Sequence, residues 1–227
     1  MNRFLQNLIQ NPKFQVLVGS TNTENTDYRN GVIGVLHTLF HTHPTNTCQS
    51  SHVEPLATVY GGTMSSADRQ LLSIFRLFEV TRKTSISTLL SRWTPASDAT
   101  CATVLEAVQN LDPTRVMKTC ISFPQYYGGP LVESDDTTCD VRNYDPIFVM
   151  LLLSRMLTDS LPTTALGWVQ LFRTNVISLL IRALSSHKEY VRALAMSQLA
   201  GLHSALQVSF LSHAPGLGGA LTILIGC

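Results

Sequence analysis

Apolar residues recur along most of the chain with the period of a helix rather than that of a strand. Between Asp68 and Phe78 the apolar set Leu71, Leu72, Ile74, Phe75, Leu77 and Phe78 leaves Asp68, Arg69, Gln70, Ser73 and Arg76 for the other faces. Residues three and four apart share a helix face, so the spacing predicts an amphipathic helix. Its start falls at Ser65 or Ser66, whose hydroxyl can accept a hydrogen bond from a first-turn amide. Two further starts are better marked. In Asp112-Pro113 and Asp145-Pro146 the carboxylate caps free amides, and proline sits where its missing N–H costs nothing. They lead into helices over Thr114 to Ile121 and Ile147 to Thr158.

Trp168 to Leu184 reads as a further helix through Leu171, Phe172, Val176, Leu179, Leu180 and Leu184. After the polar break Ser185-Ser186-His187 the pattern resumes from Glu189 to Leu202 through Tyr190, Val191, Leu194, Ala195, Leu199 and Leu202, and Val191, Leu194 and Leu199 are expected in the core. So short a break folds the two helices into a hairpin. Loops are expected at Gly19 to Asn30, Pro44 to Ser51, Trp93 to Ala99 and Pro124 to Asn143. No run alternates apolar and polar residues long enough for a sheet, so the fold class is all-α. The Val191-Arg192 step with small residues at Ala193, Ala195 and Ala200 suits one unit of an irregular armadillo/HEAT-like helical-repeat (α-solenoid) segment. An irregular helical bundle is the competing architecture, because no strict period runs through the chain. The expected organisation is a flanking helix and loop over 1–27, a helical-repeat domain over 28–203 and a poorly packed tail over 204–227.

Composition changes the picture in two respects. Charged residues make up 14% of the chain and the formal net charge is +1, which leaves no broad positive field for nucleic-acid phosphates. With a hydrophobic fraction of 44%, the chain can bury a sizeable core and is not disordered. Low charge also implies apolar surface meant to be covered. The five cysteines are widely spaced without a CxxC, and the beginning lacks the apolar core of a secretory signal, so a reducing compartment is expected. The apolar run Ile147 to Leu153 is too short for a membrane span, and no membrane association is expected.

Candidate chemistry is sparse. His37 and His41 stand four apart, with His43, Cys48 and His52 following. An i,i+4 histidine pair can chelate zinc, but the glutamate of HExxH is absent and no second ligand pair accompanies it. Capping helix carbonyls is the more economical role, and no zinc site is expected. Cys48 and His52 can meet within one helical turn, yet packing explains a cysteine there better than nucleophilic catalysis. Tyr60-Gly61-Gly62-Thr63 and Gly128-Gly129 lack the lysine-serine of a phosphate loop and read as turns. Glu133, Asp135, Asp136 and Asp140 read as a solvated acidic loop. Arg76, Arg82, Lys83 and Arg92, with Arg173, Arg182 and Arg192, form at most a thin basic set. No catalytic, cofactor-binding or metal residue is assigned, and neither an enzyme nor a small-molecule substrate is expected.

One resemblance sharpens this reading. The blocks His43-Pro44-Thr45-Asn46-Thr47-Cys48-Gln49, His52-Val53-Glu54-Pro55-Leu56, Tyr60-Gly61-Gly62-Thr63-Met64-Ser65 and Asp68-Arg69 resemble the nucleolar pre-ribosomal-associated (Npa/Urb-type) protein family. So do Leu77-Phe78-Glu79, Trp93-Thr94-Pro95, Phe123-Pro124-Gln125, Tyr144-Asp145-Pro146-Ile147-Phe148, Ala183-Leu184-Ser185-Ser186 and Val191-Arg192, in the same order from about Tyr28 to Leu202. The resemblance implies a nucleolar helical-repeat scaffold for large ribosomal subunit assembly and pre-rRNA processing. Implied partners are other pre-ribosomal assembly factors, among them a DEAD-box helicase and small nucleolar RNA particles, with contact to pre-rRNA. The family supplies no catalytic residues to carry over. The chain is expected to be a fragment or partial gene model, and Pro215 to Cys227 is expected to derive from a misplaced splice junction. A generic armadillo-like protein-binding module outside ribosome assembly is the alternative.

Overall fold

The helix starts marked in the sequence are built as their caps dictate. Ser65 Oγ accepts from the Asp68 amide at 3.2 Å, and Asp112 Oδ1 accepts from the Thr114 and Arg115 amides at 2.8 and 3.3 Å. Asp145 Oδ1 accepts from the Ile147 and Phe148 amides at 2.8 and 3.3 Å. The computed structural model describes residues 2–19, 26–83, 93–94, 101–123 and 143–213. Among the described residues there are twelve helices and no strand. They are α1 (Asn2–Ile9), α2 (Pro12–Val18), α3 (Thr26–Thr42), α4 (Pro44–Thr47), α5 (Ser50–Thr58) and α6 (Ser66–Arg82). The second half comprises α7 (Val104–Gln109), α8 (Pro113–Ile121), α9 (Pro146–Asp159), α10 (Ala165–Arg173), α11 (Val176–Ala183) and α12 (Glu189–His213).

Three helix pairs run in the same direction. Arg29 and Phe40 of α3 meet Asp68 and Phe78 of α6, so an advance of three turns on one helix matches three turns on the other. On α8 and α11, Asn175 Nδ2 donates to the Pro113 carbonyl at 3.1 Å, and seven residues later Cys120 lies within the field of Arg182. On α9 and α12, Gln198 Nε2 donates to the Met150 carbonyl at 2.6 Å, and further along both helices Gly201 comes within reach of Leu157. The helices α11 and α12 also pack together as the expected hairpin. Each like-directed pair is separated by two intervening helices, and the architecture is consistent with an all-α helical repeat.

Several local expectations are corrected. The helix expected over Trp168 to Leu184 is broken: Asn175 takes φ 63°, its side chain reaches the Pro113 carbonyl, and Thr174 Oγ1 donates to the Leu171 carbonyl, so α10 ends and α11 restarts. The 44–51 loop contains α4 and the start of α5, since Pro44 supplies a fixed φ at the first helical position. The loop from Gly19 ends earlier than expected, at the start of α3. Most of the loop over Pro124 to Asn143 lies outside the described residues. On α12 the inward residues are Val191, Ala195, Gln198 and Leu202, whereas Leu194 and Leu199 are only partly buried. The helix also continues past Leu202, with Ala205 and Leu206 packed against the core, and Ala214 to Cys227 lies outside the described residues. At the other end, Leu5, Ile9, Phe14 and Val18 of α1 and α2 are core residues.

Candidate functional site

Several of the sequence blocks converge in space. Between α5 and α6 the Tyr60–Ser65 turn is held by Asp68, which points inward rather than to the polar face expected of it. Asp68 Oδ1 accepts from the Gly61 amide at 3.1 Å, and Oδ2 from the Thr63 amide at 2.9 Å and from the Thr63 hydroxyl. Arg29 faces the same carboxylate, Nη2 to Oδ1 at 2.6 Å, with the two side chains 8% and 0% exposed. The guanidinium also donates to the carbonyls of Val18 and Val59, at 3.0 and 3.1 Å, and to Ser65 Oγ at 3.4 Å. A charge taken out of water is tolerated only when paired and fully hydrogen-bonded, and this pair is.

The turn then meets the segment ahead of α9. Asp145 N donates to the Gly62 carbonyl at 2.8 Å and Met64 N to the Asn143 carbonyl at 2.9 Å, around an isolated antiparallel bridge between Thr63 and Tyr144. Gly62 has φ +66°, and a Cβ there would come within 2.6 Å of the Phe148 ring, so both backbone and space require glycine. Phe148 stacks edge-on against Tyr60 and Trp93, with centroids 5.0 and 4.9 Å apart, and Trp93 Nε1 donates to the Tyr60 carbonyl at 2.9 Å. Arg115 caps the other side of Tyr144, 4.2 Å from its ring centroid. The histidine-proline block is tied in from α6, where Arg82 donates to the carbonyls of Cys48 and Thr45 at 2.8 and 3.2 Å. The blocks around Tyr60 to Asp68, Trp93 and Tyr144 to Phe148 thus form a joint between the α1–α6 and α7–α12 halves.

Among the described residues the metal and nucleophile suspects do not come together as a site. The rings of His37 and His41 lie 4.2 Å apart on α3, His41 Nε2 meets Ser73 Oγ at 3.0 Å, and His43 is exposed at the start of α4. Burial, and then the charge of His41, push the His37 imidazole below its ordinary pKa. Among the described residues no three His, Cys, Asp or Glu side chains are grouped to hold a metal ion. His52 is fully buried and its Nδ1 donates to the Thr47 carbonyl at 2.7 Å, so it orders the 43–49 block instead of serving Cys48. Burial raises the Cys48 thiol despite hydrogen bonds to Thr47 and Thr81 and the nearby Arg82, and it pushes Cys120 up to about 11. Neither is an activated nucleophile. Of the basic set, Arg82 is occupied as above, Arg192 Nη1 donates to the Ser186 carbonyl at 2.7 Å and Arg182 Nη1 to Ser185 Oγ at 3.3 Å. Arg76, Lys83 and Arg173 are exposed. Gly128, Gly129, Glu133, Asp135, Asp136, Asp140 and Arg92 lie outside the described residues.

Two residues central to the joint escaped sequence reasoning, although a signal existed. Arg29 lies in the stripe Arg29, Ile33, Leu36, Phe40, and Asp68 in the stripe Asp68, Leu71, Phe75, Phe78. A charged residue at the head of each of two apolar stripes is what a buried ion pair leaves in a sequence. On α12 the same reasoning applies to Gln198, a polar residue in the inward row.

The joint and the paired helices define an all-α protein consistent with a helical repeat. The comparisons carry this further. The chain is 31% identical over 185 residues to nucleolar pre-ribosomal-associated protein 1 of Mus musculus and 28% identical over 183 residues to the protein of the same name from Homo sapiens, each match covering 71% of this chain. The chain is therefore a relative of part of these nucleolar pre-ribosomal-associated proteins. It spans about 8% of the length of the curated relatives it matches. No family model and no solved structure matches it.

Proposed function

We propose that the chain is a scaffold segment of a nucleolar factor that works in ribosome assembly, specifically of the large subunit and its pre-rRNA processing. The similarity over 71% of the chain to proteins named nucleolar pre-ribosomal-associated protein 1 carries this reading. The helices act as an irregular armadillo/HEAT-like α-solenoid, and the like-directed pairs α3/α6, α8/α11 and α9/α12 support that architecture. Work is done by holding partners, without turnover chemistry of its own. The partners are other pre-ribosomal assembly factors, including a DEAD-box helicase and small nucleolar RNA particles, together with pre-rRNA. Affinity in such surfaces concentrates in a few buried anchors rather than spreading evenly.

Depletion of the full-length gene product, with pre-rRNA species resolved by hybridisation and the tagged protein located by microscopy, tests the reading. Loss of large-subunit precursors with early small-subunit products spared, and a nucleolar signal, are the expected results. Normal large-subunit precursors after complete depletion, with a signal outside the nucleolus, sink it.

A further inference from the structure

The outward face of α6 carries a row of exposed cations that no other described residue engages. Arg69 and Arg76 are exposed and seven residues apart, and Lys83 follows after seven more at the left-handed end of the helix. Seven residues are two turns, so successive charges stand about 10 Å apart along nearly one line. None of the three side chains makes a hydrogen bond or ion pair with another described residue, whereas Arg82, beside them in sequence, is tied to the Cys48 and Thr45 carbonyls. Asp68 is turned into the core, and the one carboxylate beside the row is the half-buried Glu79, three residues after Arg76 and four before Lys83. Between Arg76 and Lys83 the row holds Val80, 76% exposed. One flank is the α3 ridge, where His41 meets Ser73.

Pitch and charge decide what fits. A second α-helix repeats its side chains on the same two-turn pitch, so carboxylates at every seventh position match all three cations at once. An apolar side chain beside them reaches Val80. Nucleic acid matches less well, because phosphate binding grows with the number of neutralised contacts and is weakened by salt, and this face offers three cations on a chain of net charge +1. We propose that the outer face of α6 docks an acidic amphipathic helix of a partner protein, with carboxylates at seven-residue spacing on Arg69, Arg76 and Lys83 and an aliphatic side chain on Val80.

The test uses the full chain and three labelled probes read by fluorescence anisotropy. They are a synthetic helix with glutamate at every seventh position beside leucine, the same helix with glutamine replacing glutamate, and a single-stranded oligouridine. The acidic helix is expected to bind, more weakly as salt rises, and the glutamine helix at least about tenfold more weakly. Arg69→Glu with Arg76→Glu should lower affinity for the acidic helix by about tenfold or more and admit a lysine-bearing helix instead. Arg76→Gln, which only removes a charge from an exposed site, gives the same direction should the double reversal disturb folding. Arg173→Glu, an exposed cation on α10, should leave binding unchanged. Equal binding of the glutamine helix, no binding of the acidic helix, binding of oligouridine in its place, or indifference to the α6 substitutions each overturns the proposal. The purified binding reaction and the pre-rRNA readout fail independently of one another.

Discussion

The like-directed pairs α3/α6 and α9/α12 use one geometry and two kinds of bond. In α3/α6 the contact begins at a buried ion pair, Arg29 with Asp68, that also satisfies the backbone of the turn leading into α6. In α9/α12 no ion pair joins the helices among the described residues, and the polar contact is Gln198, whose amide nitrogen meets the Met150 carbonyl and Ser154 Oγ. The difference teaches where each pair is brittle. A buried charge is worth little while paired and a great deal once its partner is gone, whereas a neutral amide on an apolar face is nearly replaceable. The first pair is specified by a few irreplaceable atoms and the second by shape and volume.

Asp68→Ala breaks the comparison most severely, since it leaves the Arg29 guanidinium buried with no carboxylate. A loss of about 3–5 kcal/mol is expected in denaturant unfolding of the full chain, and a loss under about 1 kcal/mol would show that the pair does not carry the joint. Gly62→Ala attacks the same joint through the backbone. It adds strain at φ +66° and a clash with Phe148, together about 2–4 kcal/mol, with perturbed Trp93 fluorescence as a second readout.

On α12 the effects shrink. Leu194→Ala removes a half-buried side chain and should cost about 1–2 kcal/mol, less than the 2–5 kcal/mol typical of full burial; a larger loss would place Leu194 inside. Gln198→Leu should change stability by no more than about 1 kcal/mol, which would confirm that this pair runs on packing; a loss like that of Asp68→Ala would erase the contrast.

Cys120 sharpens the second half through pH. Its thiol titrates near 11 when folded and near 9 when unfolded, so the unfolded chain releases its proton first as pH rises. Stability from this group is therefore intact below pH 9 and is lost between pH 9 and about 11. Cys120→Ala should flatten that limb of the pH–stability curve, and an unchanged slope would mean another group controls it.

Local chemistry made much of this molecule legible. Ser65, Asp112 and Asp145 announced three helices because a cap needs only a side-chain oxygen and the next two or three amides. Period alone gave the helical class. The Trp168–Leu184 stretch was misread because the break at Asn175 depends on the Pro113 carbonyl, 62 positions earlier. Likewise the histidines suggested a ligand set on spacing, while the fold stacks His37 on His41 and commits His52 to Thr47. The order of the shared blocks was readable in the chain, but not that they form one joint, since the turn at Gly62 and the segment at Tyr144 are brought together only by packing α9 under Trp93 and Tyr60. By itself the sequence determined helix type, helix starts, the apolar stripes and the kinship. The tertiary structure alone decided which stripe residues are charged partners, which cations of α6 are exposed and which helices run side by side, because pairing across tens of residues is set by loop closure and burial rather than by neighbours in the chain.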